Sequence, residues 1–95
     1  MAWQLNARAA LHWQRWDDEW VVFDEGSGQT FLTDAVTAAS LLILEAGPVA
    51  RAELDQEVAR ALGMDDVTPI EERIGSGLDF LSGLGLVESM PSSGP

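Results

Sequence analysis

Trp13-Gln14-Arg15-Trp16-Asp17-Asp18-Glu19-Trp20-Val21-Val22-Phe23-Asp24-Glu25-Gly26-Ser27-Gly28-Gln29-Thr30-Phe31-Leu32 reads as strand, acidic turn, strand, Gly-rich turn, strand. Successive side chains of a strand point to opposite faces. The first strand, Ala9 to Gln14, therefore sets Leu11 and Trp13 on one face and Ala10, His12 and Gln14 on the other. Asp17-Asp18-Glu19 is a solvated turn. The second strand, Glu19 to Asp24, has two apolar faces, Trp20 with Val22 and Val21 with Phe23, so alternation leaves open which one meets the core. Glu25-Gly26-Ser27-Gly28 supplies the permissive backbone of a hairpin, and the third strand runs from Gln29 to Thr33.

Beyond Thr33 the apolar residues recur at helical spacing. Thr33 or Asp34 caps a first helix that runs to about Glu45, with Val36, Ala39, Leu42 and Ile43 as its stripe, and Gly47-Pro48 ends it. A second helix, about Ala50 to Leu62, carries Leu54, Val58, Ala61 and Leu62 and stops at Gly63. Thr68-Pro69-Ile70-Glu71 has the form of a capping box with proline at the first helical position. The third helix then runs to about Leu84, with Gly85 as its stop. Leu86-Val87-Glu88 adds a short extended piece. Residues 1–89 read as one domain and Met90 to Pro95 as a frayed tail. The whole pattern is α+β: a winged helix-turn-helix-like domain in which a three-stranded antiparallel sheet is followed by three helices.

Ninety-five residues bury roughly 60–65% of their unfolded surface, enough for one modest core. A hydrophobic fraction of 46% and four Trp mark a folded chain. Most of the Trp serve as core or sheet cover, with Trp3 and Trp16 partly exposed. The net charge is −11, and the five cations are all Arg: Arg8, Arg15, Arg51, Arg60 and Arg73. Such a chain is repelled by phosphate backbones and by anionic membrane surfaces, so neither nucleic acid nor membrane is expected as a partner. There is no Cys, hence no disulfide and no thiolate metal site. Met1 to Asn6 has no basic region followed by an apolar stretch and does not read as a signal peptide. Leu41-Leu42-Ile43-Leu44 is far short of the ~20 residues of a membrane span. Cytoplasmic residence is expected.

No cluster of catalytic residues stands out. His12, the one histidine, has no nucleophile or second ligand beside it in the pattern and reads as structural. Asp17-Asp18-Glu19, Asp65-Asp66 and Glu71-Glu72 read as solvated charge, without the glycine-containing spacing of a calcium loop. Gly26-Ser27-Gly28 lacks the Lys and Ser/Thr of a phosphate loop. No catalytic residue, metal or cofactor is expected.

Two features point to binding instead. Gln29 to Thr33 contains neither Lys nor Pro to blunt a sheet edge. It either pairs within the domain or accepts an added peptide strand. On the third helix, placing Ile70 at zero and advancing ~100° per residue brings Ile74, Leu78 and Leu81 to one side and Arg73, Gly77, Phe80 and Leu84 to the adjoining arc. The combined apolar arc, roughly 160°, exceeds the ~100° of an ordinary surface helix. Either the helix is deeply buried, or the extra arc lines a groove in which Gly77 permits close approach, Phe80 forms a wall and Arg73 offers a charge to a partner carboxylate. Helix glycines cost ~1 kcal/mol each, so Gly75 and Gly77 call for close packing against something.

The run H-W-x-x-W-D-D-E-W-V-V-F-D-E-G-S-G-Q-T, from His12 to Thr30, resembles the hallmark stretch of PqqD-like peptide chaperones, and in particular the subgroup of the HPr-rel-A system encoded beside HPr-kinase-related proteins. The similarity extends by pattern from Trp3 to Glu88, including Leu84-Gly85-Leu86-Val87-Glu88. It implies a non-catalytic domain that captures the leader of a ribosomally made precursor peptide and presents it to a modifying enzyme. In the family the leader adds a strand beside the third strand and lies against the third helix. On this chain those positions are Gln29, Thr30, Phe31, Leu32 and Thr33, with Arg73, Ile74, Gly77, Phe80 and Leu81. The best-known relatives serve pyrroloquinoline quinone synthesis with a radical enzyme; the neighbours of this subgroup differ, and no cofactor is carried over. The implied partners are a leader peptide and a modifying enzyme or HPr-kinase-related protein, and an open edge can also pair with its own copy to form a homodimer. The alternatives are a winged-helix transcriptional regulator, whose reading helix would set Glu71, Glu72 and Asp79 against one Arg, or a structural subunit of an HPr-kinase-related enzyme complex.

Overall fold

The structure, a computed structural model, describes residues 2–17 and 19–90, with the side chain of Trp16 not described. The exposure expected of Trp16, the turn position of Asp18 and the tail over 91–95 lie outside the described residues. The chain forms β1 (Ala2–Leu5), β2 (Leu11–Trp16), β3 (Glu19–Asp24), β4 (Gln29–Thr33), α1 (Ala35–Glu45), β5 (Val49–Ala50), α2 (Arg51–Ala61), α3 (Thr68–Gly83) and β6 (Val87–Met90).

The expected antiparallel sheet is present in the order β2-β3-β4, with Trp13 opposite Val22 and Val22 opposite Phe31. Val22 has no exposed surface, which settles the ambiguity of β3: Trp20, Val22 and Asp24 face inward. Trp13 packs edge-on against Trp20 at 5.9 Å on that inner side. Phe23 and Leu32 lie on the outer face and are exposed.

A second antiparallel sheet, β5-β1-β6, was not foreseen beyond the extended piece near Val87. Met90, assigned above to the tail, pairs with Ala2 and belongs to the domain. The fold is α+β, with three helices and two small sheets. Among the described residues no helix is long and apolar enough to cross a membrane.

Helix α1 is the centre, touching α2, α3, β1 and β3. Its cap is Asp34, whose Oδ1 accepts from the Thr37 amide at 2.8 Å. Because α1 is covered on several sides, its stripe is broader than expected: Leu41 and Leu44 are buried, whereas Leu42 points to solvent. In α2, Leu54, Val58 and Ala59 are buried, and Ala61 is exposed.

Helix α3 has proline in its first turn, but the capping box does not form. Thr68 is the first helical residue, and the Asp66 carboxylate accepts from its amide and its hydroxyl at 3.0 and 2.9 Å. Those two bonds, the backbone one first, hold Asp66 below the usual carboxylate range. The other end closes as expected. The Gly85 and Leu86 amides bond to the carbonyls of Ser82 and Leu81 with Gly85 at φ 77°, a left-handed turn that L side chains resist.

Candidate functional site: the β4–α3 groove

The larger sheet ends at β4. Among the described residues no strand pairs with its far edge, so its outward amides and carbonyls have no ladder partner. Beside that edge runs an open groove of about 680 Å³, lined by Leu32, Thr33 and Asp34 from the β4 side, Thr37 from α1, and Pro69, Glu72, Arg73, Ser76, Gly77 and Phe80 from α3. The α3 residues recur every three or four positions, as one side of a helix must.

The groove is held at both ends. Near the start of β4, the Gln29 Nε2 donates to the Leu84 carbonyl at 3.1 Å, and the Phe31 and Phe80 rings meet edge-on at 5.9 Å. Near the end of β4, an Arg73 Nη1 lies 4.0 Å from Asp34 Oδ2.

The floor is Gly77. A Cβ added there would lie 2.6 Å from Thr37 Oγ1 on the buried face of α1, closer than real contacts allow. Thr37 is β-branched and buried, with few rotamers open to it within a helix. Gly77→Ala is expected to lower stability by about 1–3 kcal/mol, and adding Thr37→Ala should restore most of it, as read by urea unfolding of the two variants. Gly75 differs: an added Cβ would meet only the Arg51 guanidinium, at 3.5 Å, an ordinary contact.

Of the ten residues named from the sequence, Leu32, Thr33, Arg73, Gly77 and Phe80 line the groove. Phe31 is half-buried behind it, Thr30 faces outward from the edge strand, and Gln29 is engaged in closing one end. Ile74 and Leu81 do not line the groove: both have no exposed surface and face the core with Leu78. Arg73 and Asp34 form only a loose pair, 4.0 Å apart with both side chains largely exposed. Asp34, Thr37, Pro69, Glu72 and Ser76 were missed. Pro69 and Ser76 are signalled by their three-to-four-residue spacing from Arg73 and Phe80; Asp34 and Thr37 had already been assigned to the start of α1.

The exposed side of α3 carries Glu71, Glu72 and Asp79 against Arg73, a poor surface for a phosphate backbone. His12 Nε2 lies 3.1 Å from Glu25 Oε2 with both side chains exposed, a surface contact. Among the described residues no three His, Asp or Glu side chains converge as a metal site would require.

No protein-family model matches the chain, and no curated protein matches it. The chain does match the solved structure of TbiB1 in complex with the TbiA(beta) leader peptide, over 94% of its own length and 99% of that chain, with a TM-score of 0.64. The two are 22% identical, and what they share is the fold.

Proposed function

We propose that this chain is a non-catalytic peptide-binding adaptor of the PqqD-like kind. It captures the leader of a ribosomally made precursor by strand addition to β4, with side chains seated in the groove against α3, and presents the precursor to a modifying enzyme. The observation that carries this is the unpaired β4 edge lying directly beside a groove into which α3 presents the half-exposed Phe80. Backbone bonds along such an edge give affinity and the groove gives selectivity. A fold shared with a protein solved with a leader peptide supports it. The hallmark run from His12 to Thr30 supports the HPr-rel-A subgroup, with a modifying enzyme or an HPr-kinase-related protein as the partner. Without peptide, the same edge is free to pair with a second copy across a two-fold axis.

The test is a fluorescence-anisotropy titration against short peptides encoded beside the gene. Ordering a flexible peptide costs several kcal/mol, so one of them should bind with a dissociation constant in the micromolar to high-nanomolar range. Millimolar binding by every candidate would argue against capture.

A further inference from the structure

Taking the peptide-capture reading as its basis, we propose that the groove selects peptides with a cationic side chain two positions before a bulky apolar one. The two ends of the groove differ in chemistry. One end is apolar, where Phe31 and Phe80 meet. The other end holds Asp34 and Glu72, and an adjoining hollow of about 320 Å³ adds Glu19 beside Leu32, Thr33 and Asp34. Asp34 and Glu72 thus share that end of the groove with one guanidinium, that of Arg73. Asp34 commits Oδ1 to the Thr37 amide, and its Oδ2 meets Arg73 only at 4.0 Å. Among the described residues Glu19 and Glu72 form no ion pair. An acidic peptide side chain would meet like charge there, on a chain whose net charge is already −11.

The order follows from strand geometry. The β2-β3-β4 sheet is antiparallel throughout, and a strand added to β4 in the same sense runs opposite to it. Alternate side chains of that strand face α3, spaced about 7 Å apart. Phe31 and Thr33 are inward positions of β4 two residues apart. The visiting chain reaches the level of Thr33 and its carboxylates first and the level of Phe31 and Phe80 two residues later.

The experiment is selection from a random peptide library displayed on phage. It is run against the full chain, against an Asp34→Asn/Glu72→Gln variant, and against a Glu53→Gln/Glu88→Gln control with the same net charge. Asn still caps α1, so the groove variant keeps its fold. Enriched peptides should carry Lys or Arg two positions before Leu, Ile or Phe. Changing that cation to Glu in a synthetic copy should weaken binding about tenfold in the native chain and in the control. In the groove variant the loss should be about threefold or less. Enrichment of Asp or Glu at that position, or discrimination that survives in the groove variant, overturns the charge assignment while leaving capture intact. A library that yields no binder, or binders indifferent to Phe80→Asp, overturns both.

Discussion

Phe80→Asp should abolish peptide capture, weakening the dissociation constant by about a hundredfold or more, while the melting temperature stays within about 5 °C of the native value. The ring is 49% exposed and lies on the groove side of α3; the core side is supplied by Ile70, Ile74, Leu78 and Leu81, all buried. A bound peptide covers the exposed half of the ring, and burying such a side chain is worth about 1.5–3 kcal/mol when complete. A carboxylate there must also be desolvated against apolar peptide. Phe80→Ala, which only truncates, should lose about tenfold. Circular dichroism melts run beside the titration separate binding from folding. Native affinity in Phe80→Asp would remove α3 from the site. Phe31 is a poorer probe, because its ring packs against the core and a charge there unfolds the sheet.

Asp24→Ala should cost more stability than Gly77→Ala, about 2–4 kcal/mol. Asp24 is 3% exposed. Its carboxylate accepts from the Ala10 and Gly26 amides at 2.9 and 3.1 Å and from the Ser27 hydroxyl at 2.6 Å. It thereby ties the segment before β2 to the β3–β4 hairpin and holds the edge strand in place. Truncation leaves these donors without an acceptor. At this chain length each kcal/mol shifts the melting temperature by about 4–8 °C, so a fall of roughly 8–32 °C is expected.

Burial alone would raise the Asp24 pKa, but the bonds from Ser27, Ala10 and Gly26 outweigh it and hold the carboxyl below its ordinary value. The folded pKa is therefore lower than the unfolded one. The contribution is full above the unfolded value of about 3.9 and is lost as pH falls through the lower folded value. Between neutral pH and about pH 3, urea melts should show the native chain losing more stability than Asp24→Asn. Equal losses would mean that the carboxylate is not the tie.

The strands of the larger sheet were legible because each carries its own local signal. β3 and β4 begin and end where alternation and turns put them. β2 starts two residues late, at Leu11, because the Ala10 amide bonds to the Asp24 side chain rather than to the ladder. The second sheet was illegible for the opposite reason. Its strands are two to four residues long, and Trp3 pairs with Val49 and Ser89, far along the chain, with no turn to announce them. The central position of α1 hid Leu41 and Leu44, since a helix buried on several sides loses its stripe.

The site was legible to the extent that β4 was an edge and α3 had an arc wider than its core contacts require. Which strip of that arc floors the groove depends on where α1 and β4 lie against it, and this is why Ile74 and Leu81 were drawn in and Asp34, Thr37 and Glu72 left out.

The most direct test of strand capture is amide hydrogen exchange across Gln29–Thr33, residue by residue, with and without a saturating leader peptide. Capture at the edge predicts that amides of β4 left unpaired in the free chain become slow to exchange, together with cross-peaks between peptide and β4 backbone protons in the complex. Bound peptide with β4 exchange unchanged, and protection gathered instead along β2 or β6, would contradict it.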